Sequence, residues 1–192
     1  MIYPSILQFW FQEITPAQWW KVDPAFDSLI ADRFGDIHAQ ATRAELFAWR
    51  TTPQGRLAEI IVLDQFSRNI HRGTRRAFEA DPLALALAQE AILANANAAL
   101  AQEAVSAQAD TALTQEERIF LYMPYMHSES KQIHVVAETL FKENAPESNY
   151  NFELRHKAII DRFGRYPHRN LILGRSSTPE ELTFLTEPGS SF

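Results

Sequence analysis

Five times in this chain a proline directly follows a threonine or an aspartate: Thr15-Pro16, Asp23-Pro24, Thr52-Pro53, Asp81-Pro82 and Thr178-Pro179. A Thr or Asp oxygen caps the first free N–H groups of a helix, and proline is tolerated in the first turn. Each pair therefore predicts a helix start, the one at Pro53 included. After Pro24, the residues Phe26, Leu29, Ile30, Phe34 and Ile37 recur at three- and four-residue steps, the period of one helix face. Thr114 and Glu117 have capping-box spacing. Val/Ile/Thr-rich alternating runs are missing and only 6 residues of 192 are glycine, which argues against sheets. The expected fold is all-α: a single domain over residues 1–187, about seven to nine helices in antiparallel hairpins. Residues 188–192 should form a loose tail. Within the domain, Ser128 is predicted to cap a helix over roughly Glu129–Glu143. Residues 101–113 should contain a loop, 144–151 should be a loop, and a helix should run from about Phe152 to Gly164.

Composition removes several function classes. A net charge of −6 argues against a general nucleic-acid-binding surface. With no cysteine, disulfides and thiolate metal sites are excluded. The opening "MIYPSILQFWFQE" has no basic stretch or small-residue cleavage site, and no apolar run is long enough to span a membrane. A cytoplasmic protein is expected, with no nucleic-acid or membrane partner. His71, His127, His134, His156 and His168 lack metal-ligand spacing. No phosphate loop, dinucleotide glycine pattern, Gly-x-Ser-x-Gly elbow or His-Glu-x-x-His is present, so no metal and no cofactor are expected.

The unusual polar residues are concentrated. Residues 64–72 and 161–169 both read Asp-x-Phe-x-Arg-x-x-His-Arg. Arginine outnumbers lysine 14 to 4, and eight of the arginines lie within 64–76 and 161–175. Arginine suits bidentate pairing with carboxylate or phosphate. On a helix, Leu57, Ile60, Ile61, Asp64, Arg68 and His71 share one stripe, and the run Ile60–Leu63 is apolar on every side. Asp64 should therefore leave water and need a partner, either Arg68 one turn along or Arg165 or Arg169 from the second phrase. In that second phrase Gly164 permits a left-handed helix end and Pro167 disfavours helix at Tyr166, so Arg165, His168, Arg169 and Asn170 should lie at a turn. A third polar block, "PYMHSES", carries His127, Ser128 and Glu129. If Ser128 opens a helix, its free N–H groups offer a place for an anion.

The candidate ligand-binding set is Asp64, Gln65, Arg68, Asn69, Arg72, His127, Ser128, Glu129, Arg165, His168, Arg169, Asn170 and Arg175. The three blocks are expected to converge on one positively charged pocket for a small anionic ligand or an acidic peptide. One alternative is a helical scaffold for a partner protein, in which the arginines are purely structural. Another is an enzyme acting on a small phosphate or carboxylate compound, with His127 or His168 as acid–base; adjacent His127-Ser128 is a poor triad, so binding is favoured over catalysis. The aromatic group Phe9, Trp10, Phe11, Trp19, Trp20 and Trp49 reads as core, with a peptide groove as the alternative. The oligomeric state is left open.

"LDQFSRNIHRGTRRAFEADPLA", "PYMHSE" and "RFGRYPHRNLILGRSSTPEELTFL" are similar to the signature blocks of the bacterial domain-of-unknown-function family 924. The opening "ILQFWF" and the segment with Trp20, Asp23 and Asp27 also fit, so the resemblance covers nearly the whole chain. It departs at Tyr125-Met126, where leucine- or glutamine-like residues are expected. The resemblance implies a helical array related to tetratricopeptide repeats. It carries no activity with it.

Overall fold

The proline-marked positions open helices. The computed structural model describes residues 2–102 and 112–191, and the backbone course alone over 94–102. Helix α1 (Tyr3–Gln8) continues into a π-helical turn at Phe9–Glu13. α2 (Pro16–Trp19) starts with a capping box between Thr15 and Gln18. α3 (Pro24–Thr42) is capped by Asp23, whose carboxylate accepts from the N–H groups of Ala25 and Phe26. A 3-10 turn at Phe47–Thr51 leads to α4 (Pro53–Ile61), where the Thr52 hydroxyl accepts from Gly55 N–H. α4 passes through a π turn, Val62–Phe66, into α5 (Ser67–Ile70). Then come α6 (Arg76–Glu79) and the long α7 (Asp81–Gln102). α8 (Gln115–Met126) begins at the Thr114–Glu117 capping box. α9 (Lys131–Asn144) and α10 (Glu147–Phe163) follow, and α10 ends on Gly164 at φ 70°. A 3-10 turn at Pro167–Arg169, α11 (Asn170–Leu173) and α12 (Pro179–Phe184) complete the chain. The fold is all-α, and no strand occurs among the described residues.

The centre is the helix that carries the first polar phrase. Every residue from 57 to 67 is buried. α1 and α7 pack on its α4 half, α3 packs on the π turn and α5, and α8 lies against α4. α9 pairs with both α8 and α10. Aromatic rings fill the N-terminal half: Phe9 meets Phe34 at 4.9 Å, Phe34 stacks on Phe66 at 5.1 Å, and Trp10 meets Phe120 edge-on at 5.5 Å between centroids. Trp10 and Trp49 are core, whereas Trp20 is 57% exposed. Leu29, placed on the α3 stripe by its spacing, is also half exposed; Phe26, Ile30 and Phe34 carry that face inward.

Three boundaries differ from the sequence reading. Ser128 does not cap α9. Its N–H still bonds to Tyr125 O in the closing turn of α8, and the extended conformation a cap needs falls at Ser130 (φ −121°, ψ 121°). The segment 144–151 is mostly helix, because α10 begins at Glu147 behind Pro146. Of the predicted loop at 101–113, residues 101–102 are helical and 112–113 form a bend, while 103–111 lie outside the described residues. At the C-terminus, Ser190 is buried and its hydroxyl donates to Leu185 O at 3.2 Å, so the tail turns back onto the domain as far as that residue.

One glycine is fixed by close approach. A Cβ on Gly55 would stand 2.0 Å from the carbonyl oxygen of Trp49, which is backbone and cannot swing away. Gly55→Ala is expected to lower the stability measured by urea unfolding by roughly 1–3 kcal/mol, through the forced separation of α4 from the preceding turn.

Candidate functional site

Asp64 sits in the middle of the buried helix, 1% exposed. A lone buried carboxylate is costly, and its oxygens are fully met. Oδ1 accepts from His127 Nδ1 at 2.8 Å and faces Arg68 Nη1 at 3.1 Å. Oδ2 accepts from Gln65 Nε2 at 2.6 Å. Burial alone raises the Asp64 carboxyl, but Arg68 and His127 outweigh it and hold the group well below the usual carboxylate range. Burial and the Arg68 charge push His127 below its ordinary 6.5. The pair is therefore a carboxylate bound to a neutral imidazole, with the ring proton on Nδ1.

Arg68 reaches from Asp64 to a second acid. It donates to Asp81 through both terminal nitrogens, at 2.9 and 3.1 Å, and to the Asp64 carbonyl at 2.8 Å. Asp81 is the first residue of α7, a favourable end of the helix dipole for an anion. From the far end of the chain, Arg169 Nη1 reaches the same carboxylate at 3.3 Å. The Arg169 guanidinium lies between the rings of Phe78 and Tyr166, 4.6 Å from each centroid. It is 6% exposed, its Nε has no hydrogen-bond partner, and burial followed by the Arg68 charge pushes its pKa down. Asp81 supplies its one side-chain hydrogen bond among the described residues.

The third block is tied to the C-terminal block. Glu129 accepts from Arg175 at 2.5 and 2.9 Å and from Tyr166 N–H at 2.8 Å. Burial raises the Glu129 carboxyl, but these donors hold it low. Tyr166 is fully buried, and its hydroxyl donates at 2.5 Å to Met126 O, a carbonyl freed at the end of α8. Beneath Ser128, His134 bonds to the Ser128 carbonyl at 2.9 Å and to the buried Glu153 at 2.7 Å.

These contacts frame a cavity of about 430 Å³. Its polar wall is Asp81, His127, Ser128, Glu129 and Arg169, with Arg75 and Glu79 at the exposed rim. Phe78, Leu85, Pro124 and Leu173 provide apolar surface. His127 Nδ1 is taken by Asp64, and Nε2 has no partner among the described residues.

Residues 68, 127 and 169 thus meet through Asp64 and Asp81, as the convergence of the three blocks required. The expected excess of positive charge does not. Arg68, Arg169 and Arg175 are matched by Asp64, Asp81 and Glu129. The remaining candidates divide. Gln65 and Asn170 support from behind: Gln65 holds Asp64, and Asn170 accepts from Arg175 Nε at 3.0 Å. Arg72 and Asn69 are not on the cavity wall; both donate to Asp27 and tie α5 to α3. Arg165 is bidentate to Glu181, the capping-box acid of α12, at 2.6 and 2.8 Å. His168 lies beside Tyr166, 5.6 Å between ring centroids, and does not line the cavity.

The echo is not structural. Asp64 is core, whereas Asp161 is on the surface and pairs with Lys157 at 2.6 Å. His71 meets His38 at 5.1 Å, while His168 lies against Tyr166. Sequence reasoning missed Asp81 as a shared acid, seeing only a helix start. It also missed the Phe78–Tyr166 clamp on Arg169.

A family model described as bacterial protein of unknown function (DUF924) matches residues 6–189. The chain belongs to the bacterial DUF924 family. A solved structure of a protein of unknown function, ATU0120 from Agrobacterium tumefaciens, superposes with a TM-score of 0.85 at 36% identity, covering 96% of this chain and 97% of that one. No curated protein matches. DUF924 membership agrees with the three blocks that build the cavity wall, all of which fall inside the matched range.

The cluster's charges give one prediction, and buried histidines outside it give a second. Asp81→Ala leaves Arg68 with one acid and Arg169 with no acid bonded to it, and should cost roughly 2–4 kcal/mol in chemical denaturation. The second concerns acid. Burial is the first cause that pushes His38 and His168 down to about 4 and His156 to about 3, from 6.5. Between those values the unfolded chain binds more protons than the folded one, so stability falls as pH drops from 6.5 towards 4. The urea midpoint should decline across that window, and His38→Gln should make the slope shallower.

Proposed function

We propose that this DUF924 protein binds a small carboxylate or phosphate compound in the bacterial cytoplasm, at the cavity walled by Arg169 and His127. The observation that carries this reading is Arg169. A buried guanidinium that lines the cavity with only one side-chain hydrogen bond among the described residues, at 3.3 Å, has donors to spare for an anion. Nearby arginines of the cluster already have bidentate acids. The volume, near 430 Å³, lies in the range of small-molecule sites, roughly 300–1,000 Å³, and is small for a folded peptide. A second reading, catalysis on such a compound, is favoured by one feature. A buried carboxylate orients His127 through Nδ1, the arrangement of a general base.

Thermal shift against a panel of phosphates, sugar phosphates and mono- and dicarboxylates tests the binding reading, since a ligand of the folded state raises its stability. At least one compound should raise the Tm of the wild type. Arg169→Met should remove that shift while leaving the unliganded protein no less stable, because it takes away a poorly compensated buried charge. A shift that survives Arg169→Met, or no shift with any compound, would count against the site.

A further inference from the structure

The binding reading says that the ligand is an anion. The cavity wall says more, because one of its acceptors also stands without a donor. His127 donates its Nδ1–H to Asp64 at 2.8 Å, so its other ring nitrogen presents a lone pair. That nitrogen, Nε2, belongs to a cavity-lining side chain and has no partner among the described residues. On the same wall stand the carboxylates of Asp81 and Glu129, which are acceptors only. Ser128, the next residue, also lines the cavity. One buried cation, Arg169, thus faces the same space as three acceptor groups. A bare oxyanion would satisfy Arg169 but would set its own lone pairs against that row. An oxyanion with a hydroxyl satisfies both sides at once. A site that places an acceptor against a ligand hydroxyl rejects the analogue that lacks it.

We propose that this cavity selects oxyanions that carry a hydroxyl on or next to the anionic group, with His127 Nε2 accepting from that hydroxyl while Arg169 holds the anion. Hydrogen phosphate and 2-hydroxycarboxylates share this chemistry. The proposal rests on the binding reading above and narrows it. Asp64 acts here as a positioning residue, because it fixes which ring nitrogen of His127 bears the proton.

Two matched pairs of probes separate the sources: inorganic phosphate against sulfate, and glycolate against acetate, each titrated calorimetrically into the wild-type protein at pH 7. Within at least one pair, the hydroxyl-bearing member should bind about ten-fold more tightly or better, the weight of one hydrogen bond at a buried acceptor. The pair that discriminates identifies the source. Asp64→Leu removes the acceptor that holds the proton on Nδ1 and should shrink that preference, without needing the anion contact at Arg169 to change. Because that variant alters a buried residue, nitrogen NMR of the wild-type His127 ring gives an independent reading, and Nε2 should be the unprotonated nitrogen. If both members of each pair bind equally, or if Nε2 carries the proton, the selectivity proposal is wrong although an anion site remains. If none of the four probes binds and Arg169→Met changes nothing across the wider panel, the binding reading itself fails and takes this one with it.

Discussion

A carboxylate that leaves water must find donors, and in this fold one does so at the centre of the molecule. Asp64 follows four consecutive apolar residues and is surrounded on all sides by buried ones. Its donors come from its own helix, through Arg68 and Gln65, and from the end of α8, through His127. Arg68 then requires Asp81 at the start of α7, and Asp81 receives Arg169 from beyond α10. Each partner has a reason to be where the previous one needs it. The chain of pairings holds helices far apart in sequence around one cavity, and it makes that cavity's wall polar while leaving Arg169 only weakly paired.

The same logic explains why so many arginines gather without producing a positive pocket. Arg50 with Glu59, Arg72 with Asp27, Arg165 with Glu181 and Arg175 with Glu129 are each bidentate. A planar fork matched to a planar acid is a way to fasten helix ends in a protein with many of them. Arg165 shows this most plainly. It completes the capping of α12 by gripping Glu181, the residue that already bonds to Thr178 N–H at 2.7 Å. Against that background Arg169, clamped between two rings and weakly paired, is the exception.

Much of the fold was legible because its signals are local. Thr15, Asp23, Thr114 and Thr178 cap the helices their spacing announces, and Gly164 takes the left-handed conformation that ends α10. The convergence of the three polar blocks was legible too, since the buried run before Asp64 demanded a distant or neighbouring donor. Pairing was not. Nothing in the spacing of Arg72 distinguishes it from Arg68, yet one faces Asp27 and the other Asp81; only packing of α3 and α7 decides. Asp81 looked like a mere cap residue for the same reason. Ser128 misled because a serine that opens a helix and a serine that closes the preceding one look alike when only four residues separate the two helices. The repeated nine-residue phrase has no common structure: identical letters occupy a buried π turn in one place and a surface helix end in the other.

The π turn at Val62–Phe66 has its own consequence. A turn of this kind holds one residue more than the α-helix it interrupts, which offsets everything downstream by about 100° around the axis. The two halves of the helix are thereby out of phase. α4 can turn its apolar side to α1 and α7 while α5 independently turns towards α3. A uniform helix would have to choose between those neighbours. The surplus residue works like a clutch between two gears, and the interrupted segment itself carries Asp64.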